Sequence, residues 1–356
     1  MTRIYLDHAA TTPLRPAAAE AVREGFAMWA NPSSPHAEGR AARAALEAAR
    51  ERIKAALAWD GEVIVTSGAS ESLAIGLGRA KAARRLVSAV EHDAVLRAAP
   101  DAELIPLGRD DNGRAQLDSD ALAAALARPG RAIVALQAVN SETGTVLIPH
   151  EGTPALAQVR QAGGLFLADC SQSAGRVPLP DADMVVVSAH KLGGPVGIGA
   201  LLVRDFAMLQ PCGGHERGYR QGTENLPGAL GFAAALEAGG IESWPTSYPD
   251  RYDFKDLLAR HGEVLRLGAQ CSHVLAVAAE RTSAVAMVIR LDAMGFAISA
   301  GSACSSGTLK QSRALAGFGV EPELAARTVR VSVGWNTTLS ELEAFADAWQ
   351  EAAESA

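Results

Sequence analysis

The chain has 356 residues, 48% of them hydrophobic, and a formal net charge of −7. That length supports about two domains with sizeable cores, and the acidic balance excludes nucleic acid as the main partner. The N-terminal Met1-Thr-Arg-Ile-Tyr-Leu-Asp-His is polar at residues 2, 3, 7 and 8 and does not resemble a signal peptide, and no run approaches the roughly 18 apolar residues of a membrane span.

Pro35 precedes the stretch 37–57, where Ala, Leu and Ile alternate with Arg, Glu and Lys at helical spacing, which predicts one amphipathic helix. Short apolar runs follow at 63–66, 85–90, 132–137, 165–168, 184–188 and 200–203, separated by helical stretches. Runs without polar alternation predict strands buried on both faces, hence an α/β fold with a largely parallel sheet covered by helices. Ligands bind such sheets beyond the carboxyl ends of the strands. Ser67, His92, Asn140, Asp169 and Lys191 all fall there. The stretch 240–262 reads as an irregular connection to a second domain, which ends in a helix from Ser340.

Lys191 lies in Ser188-Ala-His-Lys-Leu-Gly-Gly-Pro, and Asp169 in Leu167-Ala-Asp-Cys-Ser-Gln. A lysine and a carboxylate at the ends of neighbouring strands suit pyridoxal phosphate. The amine condenses with the aldehyde, and the carboxylate keeps the pyridine nitrogen protonated. Gln172 can bond the ring hydroxyl, and Ser188 and His190 can reach the phosphate. The turn Thr66-Ser-Gly-Ala69-Ser70-Glu-Ser is either an ordinary capped helix start or a phosphate cradle. His92 is either a packed imidazole or a ring stacked over the cofactor.

The four cysteines, 170, 212, 271 and 304, contain no C-x-x-C spacing, which predicts reduced thiols in the cytoplasm and neither a disulfide framework nor a metal site. Cys170, Cys212 and Cys271 read as small hydrophobes. Cys304, in Ser299-Ala-Gly-Ser-Ala-Cys-Ser-Ser-Gly, has little around it to bury it, so a nucleophilic thiol is the second reading there. Arg330, in the apolar run Thr328-Val-Arg-Val-Ser-Val, is either an edge residue or a clamp for a carboxylate.

Together these motifs resemble cysteine desulfurases of the NifS/IscS type, within the class V aminotransferase-like, fold type I pyridoxal enzymes. The resemblance runs nearly end to end. It also includes Tyr5-Leu-Asp-His-Ala-Ala-Thr-Thr-Pro, Asn31-Pro-Ser-Ser-Pro-His, Glu91-His, Arg220-Gln-Gly-Thr-Glu-Asn and Gly301-Ser-Ala-Cys-Ser-Ser. It implies a large domain over 13–243 with a mainly parallel seven-stranded sheet. A smaller α+β domain over 244–356, with 1–12 packed on it, carries the cysteine loop.

The resemblance further implies that Lys191 forms the Schiff base, Asp169 pairs the pyridine nitrogen, Gln172 contacts the ring hydroxyl and His92 stacks on the ring. Ala69, Ser70, Ser188 and His190 would hold the phosphate, and Thr223 the phosphate of a neighbouring subunit, so a homodimer is implied. Arg330 and Asn140 would hold the substrate carboxylate, and Cys304 would accept the sulfur of L-cysteine. The persulfide would pass to an acceptor protein such as an iron–sulfur scaffold or a tRNA-thiolation enzyme. The chain departs from the family at Ser141, where a second Asn is usual, and at Cys212-Gly-Gly-His215, and is short near 238–285. Selenocysteine lyase, another class V reaction, or a weakly active scaffold that needs a partner are the alternatives.

Overall fold

The computed structural model describes residues 3–149, 151–300 and 312–354. Seven strands form the main sheet: β1 Glu62–Thr66, β2 Arg84–Ser88, β3 Glu103–Ile105, β4 Ala132–Gln137, β5 Leu165–Asp169, β6 Met184–Ser188 and β7 Gly199–Val203. Their spatial order is β1-β7-β6-β5-β4-β2-β3. Only β7 runs against its neighbours, while β6, β5, β4, β2 and β3 are mutually parallel.

All six apolar runs identified in the sequence are strands of this sheet. The seventh strand, β3, is three residues long and begins with Glu, too short and too polar to stand out. Every residue of β4, β5, β6 and β7 is buried. Helices cover both faces of these strands, which is why their sequences lack alternation.

The predicted helix at 37–57 is α2 (Ala37–Ala56), preceded by α1 (Pro16–Ala27). His36 caps α2, its Nδ1 accepting from Gly39 N at 3.2 Å. Helix α3 (Ala69–Gly78) follows β1, and the short α4 (Asp93–Ala98) follows β2. Both therefore begin beyond the carboxyl ends of their strands.

A second sheet is formed by β8 Glu263–Val264, β9 Val274–Ala278, β10 Ser299–Ala300 and β11 Thr328–Ser332, in the antiparallel order β8-β9-β11-β10. Ala276 and Ala278 of β9 join the core of the main sheet, whereas Leu275, Val277, Val329 and Val331 of this second sheet cluster with Phe254, Met287, Leu291, Phe345 and Trp349. Leu6 belongs to this cluster. The segment Ile4–Tyr5 pairs in parallel with Phe296–Ala297, and Ser332 N donates to Leu6 O at 2.8 Å. The N-terminus is thus threaded through the second unit before it reaches the main sheet.

The stretch 240–262 is not the irregular connection expected. It contains a helix at Tyr248–Leu258, opened by a capping box in which Ser247 and Asp250 satisfy each other's backbone amides. The prolines that suggested irregularity explain the error. Pro249 sits in the helix's first turn, where its missing N–H costs nothing.

Candidate active site

A cavity of about 360 Å³ opens where the main-sheet strands end. Asp169, the last residue of β5, and Lys191, in the 3-10 turn Ala189–Lys191 after β6, both line it. Parallel pairing of β5 with β6 sets Asp169 opposite Val186, so the two chemical residues emerge side by side.

Asp169 is held by an Asx turn, its Oδ1 accepting from Ser171 N at 2.9 Å and from Ser171 Oγ at 2.5 Å. Lys191 Nζ donates to the carbonyl of Ala9. The Lys191 backbone is fixed as well, because its carbonyl accepts from Thr12 Oγ1 at 3.0 Å and from Arg176.

Gln172 lies one turn after Asp169. Its Nε2 donates to Ala9 O at 2.9 Å, whereas its Oε1 is buried with no hydrogen-bond partner among the described residues. Such an atom costs free energy unless a ligand donates to it. A ring hydroxyl in the cavity is a donor of the right kind.

His92 caps α4, its Nδ1 accepting from Ala94 N at 3.1 Å. Burial lowers its pKa, so the ring is held neutral with its proton on Nε2. His190 is pushed down to about 4 by burial and by the neighbouring Lys191 ammonium. Its Nδ1 lies 3.1 Å from Thr11 Oγ1.

Ala69, Ser70, Ser188 and His190 line the end of the cavity nearest α3. Gly68 adopts φ +141°, a conformation essentially restricted to glycine. Gly199 of β7 passes close beside it, since a Cβ on Gly199 would come within 2.8 Å of Gly68 Cα. The bare backbone here and the unsatisfied first-turn amides of α3 make an anion cradle. A carboxylate for the ring nitrogen, an unmet acceptor for the hydroxyl, a lysine and an anion cradle surround one cavity. These residues fit pyridoxal phosphate.

Three of the expected residues stand elsewhere. Asn140 does not line the cavity. Its Nδ2 donates to Val90 O at 3.2 Å, and its Oδ1 accepts from the backbone amides of Glu142 and Thr143 at 3.0 and 2.9 Å. The turn occupies the amide oxygen, and Ser141 is the residue at the wall. Thr223 is exposed and does not line the cavity of its own chain. Arg330, only 4% exposed, sits behind Ser141 and donates to its carbonyl at 3.0 Å. Cys304 lies outside the described residues.

The other cysteines divide. Cys170 is fully buried, and burial pushes its thiol up to about 12. Cys212 and Cys271 are only half-buried, so the small-hydrophobe reading holds for Cys170 and not for Cys212, which sits in a glycine loop. No disulfide joins these three residues, and no metal-binding cluster occurs among the described residues. No helix among the described residues is long and apolar enough to cross a membrane.

Sequence reasoning missed how the charged groups at and around the cavity are paired, Glu71 being one that lines it. Glu91 is 1% exposed, accepts from Ser88 Oγ at 2.5 Å and Gln137 N at 2.9 Å, and is pushed up to about 8, chiefly by burial. Glu71 pairs with Arg220 at 3.1 Å. Asp7 pairs with Arg330 at 2.7 Å. The Glu71 and Asp7 pairs join residues far apart in the chain, and no local pattern announces them.

A sheet of this topology with a lysine and an aspartate facing one cavity defines a pyridoxal-enzyme scaffold of the aminotransferase kind. The chain belongs to the aminotransferase class-V family, whose model matches residues 4–345. It is 38% identical to a cysteine desulfurase of Cereibacter sphaeroides, over 96% of this chain and 94% of that protein. It is 36% identical to a cysteine desulfurase of Gluconacetobacter diazotrophicus, over 98% and 92% respectively. Among solved structures, a NifS-like protein superposes with a TM-score of 0.86 at 25% identity, covering 100% of both chains. A structure described as SspA in complex with cysteine superposes with a TM-score of 0.78 at 27% identity, over 95% of this chain and 100% of that one.

Proposed function

We propose that this protein is a pyridoxal-phosphate-dependent cysteine desulfurase, which converts L-cysteine to L-alanine and leaves the sulfur as a persulfide on Cys304. The observation that carries the reading is the joint presence of Lys191 and Asp169 at one cavity, in a chain whose relatives bear that name. The cysteine in the SspA structure supports the same substrate.

When bound, pyridoxal phosphate supplies an electron sink that weakens bonds at the substrate's Cα and Cβ. Asp169 holds a proton at the pyridine nitrogen, and Gln172 Oε1 accepts from the ring hydroxyl. The Lys191 amine takes the Cα proton and can return it. Neutral His92 would stack on the ring. Ser70, Ser188 and His190, with the first amides of α3, hold the phosphate, and Arg330 holds the substrate carboxylate.

Cys304 thiolate then attacks the substrate sulfur. An S–S bond forms, the Cβ–S bond breaks with its electron pair staying on carbon, and protonation of that carbon completes alanine. The persulfide passes to an acceptor protein by thiol exchange. The reading includes a cytoplasmic homodimer in which Thr223 completes the neighbouring subunit's phosphate site. It also divides the chain at about residue 243, a division supported by the second sheet, all of whose strands lie beyond that point.

The test is alanine and sulfide formation from L-cysteine plus a thiol reductant, for wild type and Cys304→Ala side by side. Wild type should make both products. The variant should make neither while keeping its cofactor absorbance. A variant that also loses the cofactor, or a wild type that binds cofactor and stays silent, rejects the assignment.

A further inference from the structure

Arg330 is a buried guanidinium with an unusual balance of donors. Nη1 donates to Ser141 O at 3.0 Å, Nη2 to Asp7 Oδ1 at 2.7 Å, and Nε is buried without an acceptor among the described residues. A buried donor left unsatisfied costs free energy until a ligand takes it. Asp7 is the one carboxylate in ion-pair contact with Arg330 among the described residues.

Asp7 is itself fixed at both oxygens. Its Oδ2 accepts from Ser299 Oγ at 2.7 Å, which leaves Oδ1 to Arg330. Ser299 stands directly across the antiparallel ladder from Arg330, and Asp7 bridges to Ser332 in the same strand as Arg330. Three chain segments therefore meet around one guanidinium: the N-terminal segment, β10 and β11. Glu142, next to the Ser141 tether, contributes a further carboxyl in the field of Arg330, and burial holds its pKa up.

We propose that Asp7 is a positioning residue for substrate recognition: by gripping Nη2 while Ser299 grips Asp7, it aims the unspent donors of Arg330 at the substrate's α-carboxylate. This rests on the reading of Arg330 as the carboxylate clamp. Asp7 does not touch substrate. A charge-assisted pair fixes guanidinium orientation more tightly than a neutral contact, and orientation decides whether a second carboxylate is met well. Asp7→Asn keeps the size but removes the charge and turns one of the two acceptor oxygens, facing Arg330 or Ser299, into an amide donor.

The experiment compares two ligands that differ only in the carboxylate, L-alanine and ethylamine, titrated into the holoenzyme and followed by cofactor absorbance. Asp7→Asn should weaken L-alanine binding by about tenfold and leave ethylamine unchanged. Unchanged or tighter L-alanine binding overturns the proposal, and so does equal weakening of both ligands, which marks a merely structural role. Arg330→Gln is the control for the underlying reading: if it leaves L-alanine affinity intact, the clamp assignment itself fails. Should Asp7→Asn not fold, Ser299→Ala decides by the same criteria, with an expected loss of about threefold for L-alanine alone.

Discussion

Lys191 and Gln172 donate to the same acceptor, the carbonyl of Ala9. One carbonyl of the N-terminal segment thereby holds the amine and the amide at the cavity wall. The two contacts differ in what they predict. Lys191→Ala should abolish turnover and any cofactor that borohydride reduction can fix to the chain. Gln172→Ala should keep that covalent attachment and weaken cofactor binding by about tenfold, the loss of one hydrogen bond at a buried site. Equilibrium dialysis with and without borohydride separates them. Covalent fixation surviving in Lys191→Ala contradicts the assignment.

Gly68 should tolerate no side chain. Space is not the obstacle, since a Cβ at this position would meet nothing within 4 Å; the φ of +141° is. Gly68→Ala should lose about 1–3 kcal/mol of stability through backbone strain. It should also raise the cofactor dissociation constant several-fold, because the cradle relaxes. Urea denaturation and cofactor titration check both effects, and wild-type values for the two remove the cradle from the binding site.

Glu216 is a stability residue beside the cavity-bearing sheet. Its carboxylate pairs with buried Arg50 at 2.6 Å and accepts from Val65 N at 2.9 Å, closing the open edge of β1. Backbone at Glu216 and Arg217 is held at positive φ, +47° and +56°. Glu216→Ala leaves a buried guanidinium without this partner and should cost about 3–5 kcal/mol. Replacing Arg50 by Met as well should recover part of that. A shift of the urea midpoint under a tenth of this size excludes the pair as a major support.

The acid side of the stability profile should be steep. Burial, with Arg176 nearby, pushes His8 down to about 4 from its ordinary 6.5, and His273 and His190 move the same way. In the window between 4 and 6.5 the unfolded chain takes up a proton that the folded chain refuses. The contribution to stability is complete above 6.5 and falls as pH drops toward 4. From pH 7 to pH 5 His8 alone accounts for a loss on the order of 2 kcal/mol. His8→Asn should flatten the fall in Tm over that range, and calorimetry at the two pH values reads it directly.

Much of the scaffold was legible in the sequence because its signals are local. Six apolar runs marked six buried strands, since a strand covered on both faces needs no polar alternation. Asp169 and Lys191 were legible as strand-end residues, and strand ends are where such sheets bind ligands. The short strand Glu103–Ile105 and the helix Tyr248–Leu258 were not. The first is too brief to show a period, and the second hides behind prolines that its first turn accommodates.

What the amino-acid order determined by itself is therefore the class of fold and the placing of Asp169 and Lys191 at strand ends, because each is written in a few neighbouring residues. Tertiary structure alone decided which side chains face the cavity. It turned Asn140 into its own loop and put Ser141 at the wall, since a buried amide is held by whichever backbone groups the turn presents. It also set Asp7 against Arg330, 323 residues away. Contacts of that kind arise from how the N-terminal segment lies between Phe296–Ala297 and the Ser332 end of β11, and no local pattern of residues encodes them.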